Sequence, residues 1–282
     1  MLERWQHWLT PLFNEIPTLA VAALFFLLLA LVVNRGNLRQ TLARLLPRGL
    51  KVNLAVYALD ILIVAGPLGY LLKQLSLFIA GHGFTIFDEA SLASLPAPLL
   101  LLLTVFVGDG ISYFRHRLEH SRLLWPAHVL HHSDDDMSWF TVFRFHPLNR
   151  LSTTVIDIGL LLALGIPGWA IAANLLIRHY YGMFIHAALP WTYGPLGRVL
   201  VSPAMHRWHH VLHGRGINSN YATVFSVFDQ IFGSYYVPGP CTVPLGVRNV
   251  RHDALLEQLL LPLTALSRAV LPARARRKAT DP

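Results

Sequence analysis

Twelve of the fifteen histidines in this 282-residue chain fall between His116 and His213. Three groups stand out by spacing. His116 and His120 form HxxxH, His128, His131 and His132 form HxxHH, and His206, His209 and His210 form HxxHH again. Residues three or four apart share a helix face, so the imidazoles of HxxxH lie one above the other. In HxxHH the outer pair is aligned and the middle histidine is turned away by about 100°, because a turn takes 3.6 residues. Three imidazoles spread in that way can serve two metals side by side. Stability gains nothing from eight such rings, which repel one another once protonated. The chemistry on offer is metal binding.

Imidazole suits zinc, copper, iron and nickel alike. A structural zinc site closes with four ligands, whereas these motifs supply eight, enough for two ions with open positions. Soluble di-iron bundles use paired Glu and Glu-x-x-His, and neither pattern occurs here. A neutral, all-imidazole set favours a more oxidising iron pair, suited to attack on an unactivated C–H bond. Upstream, Asp109, Tyr113, His116 and His120 are spaced four, three and four. That stripe puts a carboxylate and a phenol on the ligand face, where metal-bound imidazoles find acceptors for their second N–H. Asp109 and Tyr113 are the expected partners. Pro126 and Ser202-Pro203 precede the HxxHH motifs, and Ser-Pro makes a good cap and first turn. Both triads are expected on short helices. His7, His82 and His252 stand alone and read as surface or hydrogen-bonded side chains. The single cysteine, Cys241, excludes an intrachain disulfide, a CxxC pair and a thiolate cluster.

The elements that carry these residues belong in a membrane. The chain is 54% hydrophobic and 13% charged, against about 25% charged in soluble domains. Ile16 to Val33 is an apolar run without a charge, read as a retained anchor and not a cleaved signal. Val52 to Leu72 is a second span, interrupted at Gly66-Pro67, and Leu95 to Tyr113 a third. A fourth stretch, Thr153 to Ile177, lies between motif histidines that must share one side of the membrane. Its break at Gly165 to Gly168 predicts a hairpin or re-entrant pair with arms of about 20 Å. Leu255 to Val270 is expected to lie at the interface despite Pro262, and the tail after Pro272 to be disordered.

The net charge of +8 is not a nucleic-acid footprint. Basic residues gather in Arg35 to Lys51 (Arg39 and Arg44 among them), beyond the third span at Arg115, Arg117 and Arg122, and at Arg274, Arg276, Arg277 and Lys278. Positive charge next to spans marks the cytoplasmic side, so the histidines are expected to face the cytoplasm. The fold expected is an all-α integral membrane protein whose transmembrane helices carry a cytoplasmic helical cap holding a histidine-bound dimetal site. Residues 1–94 form the N-terminal transmembrane region, 95–240 the catalytic domain with hairpin 153–177, and 241–282 an interfacial segment and basic tail.

The run DGISYFRHRLEHSRLLWPAHVLHHSDD resembles the signature of the fatty acid hydroxylase and sterol desaturase superfamily. So do RFHP at Arg144 to Pro147, FIHAALP at Phe184 to Pro190, SPAMHRWHH at Ser202 to His210, and NSNYATVFSVFDQIFGSYY at Asn218 to Tyr236. The resemblance covers Asp109 to Tyr236. It implies O2-dependent hydroxylation or desaturation of a lipid drawn from the bilayer. The implied cofactor is two iron ions, with zinc an ion that the same ligands accept during isolation. Carried over by position, the ligands are His116, His120, His128, His131, His132, His206, His209 and His210. His186 matches an isolated family histidine and makes a ninth. His146, in Arg-Phe-His-Pro, matches a recurrent position that need not be a ligand, and both roles stay open. Ala188, Ala222, Phe228 and Gln230 depart from the family pattern at pocket and packing positions.

Nothing in the sequence supplies electrons: there is no Rossmann glycine fingerprint and no cysteine set for an iron–sulfur cluster. A ferredoxin or cytochrome donor is implied, which Arg117, Arg122, Arg207 and Arg215 would steer unless they are ordinary solvated charge. Trp139, Phe140, Phe143 and Trp191 line a substrate entrance or form an interfacial belt. Two other classes remain: a divalent-metal transporter, which needs its ligands near the midplane, and a non-catalytic metal-binding membrane protein.

Overall fold

The computed structural model describes residues 2–37 and 47–270, with side chains from 10 to 266 within those ranges. Arg39, Arg44, the basic residues from Arg274 to Lys278 and the tail expected to be disordered lie outside the described residues, as does the side chain of His7. Regular structure among the described residues is helical, with isolated bridges at Leu200–Phe225 and Val211–Leu245 and no β-strand.

Three helices are long and apolar enough to cross a membrane, and the chain is a membrane protein. Helix α1, Leu2–Val33, contains the candidate span Thr10–Val33. That span starts before the expected Ile16 and therefore takes in Glu15. Helix α2, Leu50–His82, outruns the expected second span at both ends. Pro67 lacks an N–H and its ring crowds the carbonyl four residues back. A π-helical turn over Asp60–Val64 widens the helix at that place, with the Ala65 N–H donating to the Asp60 carbonyl five residues back. The helix passes through Gly66-Pro67 for that reason. Helix α3, Ala97–Glu119, begins on Pro96 and runs past Tyr113, so that His116 rides on a helix long and apolar enough to cross a membrane.

Helix α4, Trp125–His132, has Pro126 in its first turn. Helix α5 covers 147–163 and contains a second π turn, Thr153–Ile158. Helix α6 is Gly168–His186. The break between α5 and α6 falls where the sequence places it. Gly165 has φ +78°, and a Cβ there would run into the carbonyl oxygen of Phe87, so the turn accepts glycine alone. The arms are longer than expected because α5 starts at Pro147 and the 19 residues of α6 extend to His186, about 28 Å for α6 at 1.5 Å per residue. Both arms pack on α3. Gly108 of α3 lets α6 approach closely: a Cβ there would stand 2.9 Å from Nδ2 of Asn174, the small-residue contact that membrane helices favour.

Helix α7, Pro203–His209, is capped by Ser202, whose Oγ accepts from the Met205 N–H at 3.1 Å. Helix α8, Leu255–Val270, keeps its course through Pro262 and packs on α4. Its Gln258 is buried and accepts from Ser133 Oγ at 2.6 Å, while Leu256, Leu260, Leu263 and Leu266 are exposed on its other face. Arg144 ties the parts together. Its guanidinium is fully buried and donates to Asn53 of α2, to Ser133 after α4 and to the His252 carbonyl before α8.

Candidate metal centre

Nine histidines converge at the C-terminal end of α3. His116, His120, His128, His132 and His209 bring one ligand atom each within 4.8 Å of one another, and His131, His186, His206 and His210 do the same in a second group. The partition follows helical geometry. The outer pair of the first HxxHH, His128 and His132, stands in one group while His131 crosses to the other. In the second HxxHH, His206 and His210 stand together and His209 crosses back. Each short helix feeds both groups. The groups adjoin, with the rings of His132 and His210 stacked 4.3 Å apart.

The outer nitrogens decide what the inner ones can do. His116 Nδ1 donates to the Tyr221 carbonyl at 2.7 Å, His209 Nδ1 to the Ser219 carbonyl at 2.6 Å, and His186 Nδ1 to the Gly182 carbonyl at 2.6 Å. A neutral imidazole carries one N–H, so these three rings present bare lone pairs at Nε2. Yet the Nε2 atoms of His116 and His209 face each other at 3.0 Å. Two lone pairs cannot hydrogen-bond. A cation between them turns repulsion into coordination. Elsewhere, His116 and His128 meet Nε2 to Nε2 at 3.1 Å, His186 and His206 at 2.9 Å, His186 and His131 at 3.2 Å, and His206 and His210 at 3.2 Å. Ligands about 2.1 Å from a metal stand roughly 3.0–3.4 Å apart in octahedral or tetrahedral arrangement. Nε2 of His120 and of His132 are buried without a hydrogen-bond partner. This donor set fits a metal ion in each group.

Burial also sets the charge. It pushes His128, His131, His132, His206, His209 and His210 well below the ordinary imidazole value, with neighbouring rings adding to the shift, and takes His120 down to about 4. At neutral pH these rings are uncharged, the form that binds metal.

Three expected residues stand elsewhere. Asp109 does not reach a ring; its carboxylate accepts the backbone N–H groups of Thr223, Val224 and Phe225 at 2.8–3.2 Å. Tyr113 bonds Ser234 Oγ at 2.8 Å. His146 lies outside both groups because both its nitrogens are used. Nδ1 accepts from the Leu148 N–H as the cap of α5, and Nε2 donates to the Leu259 carbonyl. The ring partners are instead backbone carbonyls, Asn218, whose Oδ1 accepts from His120 at 3.1 Å, and Glu119, 3.5 Å from His128 Nδ1. Glu119 sits beside His120 in the sequence, the one signal available for it. The carbonyl partners carry none. Asp229 frames the same segment, accepting from the N–H groups of Tyr221 and Ala222 at 2.7 and 2.9 Å.

Both groups open onto a cavity of about 430 Å³, reached by His116, His128, His131, His186 and His206. On the other face of α6 an apolar groove of about 810 Å³ runs along α1, past Val21, Phe25, Ile177, Tyr180 and Phe184.

Residues 101–234 match the family profile described as fatty acid hydroxylase. Over that stretch the chain is similar to the fatty acid hydroxylase family. The matched residues include all nine converging histidines. The chain is 27% identical over 175 residues to the ornithine lipid hydroxylase of Rhizobium tropici, covering 61% of this chain and 53% of that protein. It is 32% identical over 134 residues to the alkylglycerol monooxygenase of Homo sapiens, covering 47% of this chain and 30% of that one. The alkylglycerol monooxygenase of Caenorhabditis elegans is 28% identical over 158 residues, with 53% and 30% covered. The chain thus spans about half the length of the first relative and under a third of the others. No solved structure matches the chain.

Proposed function

We propose that this chain is a membrane-bound, non-haem di-iron oxygenase that hydroxylates a lipid: RH + O2 + 2e⁻ + 2H⁺ gives ROH + H2O. Desaturation is the variant outcome if a second hydrogen is removed in place of hydroxylation. The observation that carries the reading is the pair of adjoining all-imidazole groups, with facing bare Nε2 atoms, opening onto one cavity. Two relatives named for lipid hydroxylation or mono-oxygenation support it.

Bound iron would supply the activation of O2 and the cleavage of the C–H bond. The chain's own residues do the rest. His116, His120, His128, His132 and His209 would hold one ion, and His131, His186, His206 and His210 the other. The carbonyls of Tyr221, Ser219 and Gly182 fix three rings in the tautomer that leaves Nε2 free, an orienting role that metal ligands commonly require. Glu119, held by Arg115 and Ser152, stands ready to accept from His128. The cavity walls position the substrate and keep bulk water away. Electrons come from a separate ferredoxin or cytochrome, and the exposed Arg117, Arg122 and Arg215 suit an acidic donor.

Lipid mass spectrometry of cells with and without the gene, under 18O2, tests the reaction. A lipid heavier by one labelled oxygen atom, absent in cells carrying His131→Ala, is the expected result. Unchanged lipids with altered metal uptake would select the transporter instead.

The site is proposed to face the cytoplasm, with α5 and α6 entering and leaving on that side. Cysteines placed singly at 150 and 198, with Cys241 replaced, should react with an impermeant thiol reagent from the same side. Labelling from opposite sides would break the single-centre reading, because the ligands flanking this hairpin must share one pair of metals.

A further inference from the structure

The cavity below the histidines carries a band of charged groups beside apolar walls such as Val142, Phe143 and Leu175. Four carboxylates line it, Glu15, Asp60, Glu119 and Asp157, against three guanidinium groups, Arg115, Arg150 and Arg178. Ionisable groups within membrane helices mark functional cavities. Laying methylenes across them would strip their water without replacing it. Asp60 and Asp157 each lie on a π turn, a distortion that often accompanies function.

Not all of this charge is matched. Arg115 is satisfied, donating to Asp157 at 2.7 Å, Glu119 at 2.8 Å and Ser112 at 3.0 Å. Arg150 grips both oxygens of Asp60. Arg178 is a tenth exposed and pairs with Asp157 at 3.4 Å and, through Nε, with Asp109 at 3.6 Å, with long contacts to the Gly108 carbonyl at 3.3 Å and Thr223 at 3.5 Å. Glu15 has a neutral partner, the Tyr57 hydroxyl at 3.3 Å. Among the lining groups it is the carboxylate left over once each arginine is counted against an acid.

We propose that the polar head of the lipid, and not the end of its tail, enters this cavity. The head bears an amine whose cation rests against Glu15, and an oxygen that accepts from Arg178. The carbon oxidised then lies a few bonds from the amine, while the tail extends away from the charged groups toward lipid. Glu15 is the specificity-determining residue. This inference rests on the oxygenase reading above.

The test uses the full chain in neutral maltoside micelles, with hexadecylamine and hexadecanol as probes and retained ligand read by native mass spectrometry. The amine should be held about tenfold more tightly than the alcohol, the scale of one ion pair in a partly dry site. Glu15→Gln should erase the preference and Glu15→Asp keep part of it, with metal content unchanged in both. Equal retention of the two probes by the wild-type protein would overturn the proposal, and that comparison stands whether or not a variant folds. A preference surviving in Glu15→Gln would overturn it too. Amine preference without any oxidised lipid would sink the oxygenase reading alone; oxidation of a neutral lipid without amine preference would sink this one alone.

Discussion

His131→Ala and His209→Ala are each expected to lower product formation by more than about 100-fold, since losing even an outer partner of a metal ligand costs 10–100-fold. Each is the middle residue of its HxxHH, the ring that crosses from its own helix to the opposite group. His209 faces the bare Nε2 of His116 at 3.0 Å, and His131 stands 3.2 Å from that of His186. Removing either leaves the adjoining ion short of a ligand and a cavity where the ring stood. Neither ring packs within an apolar cluster of the core, so both variants should remain in the membrane at wild-type abundance. His252→Ala supplies the control. Its ring lies outside both groups, 3.6 Å from Asp135, and the backbone carbonyl that Arg144 uses is retained. Wild-type turnover in either ligand variant, measured by lipid mass spectrometry, would remove the case for two joined metal groups.

Asp109→Ala is expected to cost about 3–5 kcal/mol of stability, the usual consequence of deleting one partner from a buried charged network. The carboxylate is fully buried. It gathers three consecutive backbone N–H groups, from Thr223 to Phe225, and stands 3.6 Å from Arg178. Without it those three donors are left unpaired in a dry place and Arg178 keeps Asp157 as its acid partner. The effect should reach the metals as well. The segment that Asp109 anchors follows closely on the Tyr221 and Ser219 carbonyls, which orient His116 and His209. Metal content should therefore fall in the five-histidine group first. Denaturant unfolding with the stability change below about 1 kcal/mol, or full metal content in the variant, would contradict this chain of contacts.

The sequence made the rings and their partition readable, because 3.6 residues per turn forces the outer and middle histidines of HxxHH apart. The break at Gly165 and the Ser202 cap were readable for similar reasons, since each depends on the local chemistry of one or two residues. The same periodicity misleads at Asp109, whose carboxylate goes to the backbone of 223–225. It shares a face with His116 but stands seven residues away, about 10 Å along the helix, too far to touch the ring. Tyr113 failed likewise, its hydroxyl drawn off by Ser234, which lies more than a hundred residues later. His146 fits either role by its motif and joins neither group, because its Nε2 is engaged by the Leu259 carbonyl of a distant helix. The orienting carbonyls of Gly182, Ser219 and Tyr221 leave no trace in side-chain identity. Nor does the charged cavity, whose acids come from α1, α2, α3 and α5 and meet only in three dimensions.

The most direct test of the account is the metal content of freshly purified, active protein. Elemental analysis should find two ions per chain, iron in the active form, with zinc substituting in strongly overexpressed material because the same imidazoles accept it. The facing lone pairs of His116 and His209 call for an ion in the five-ring group, and the four converging imidazoles of the other group fit a second. One ion per chain, or none, in protein that still turns over would contradict the dimetal centre.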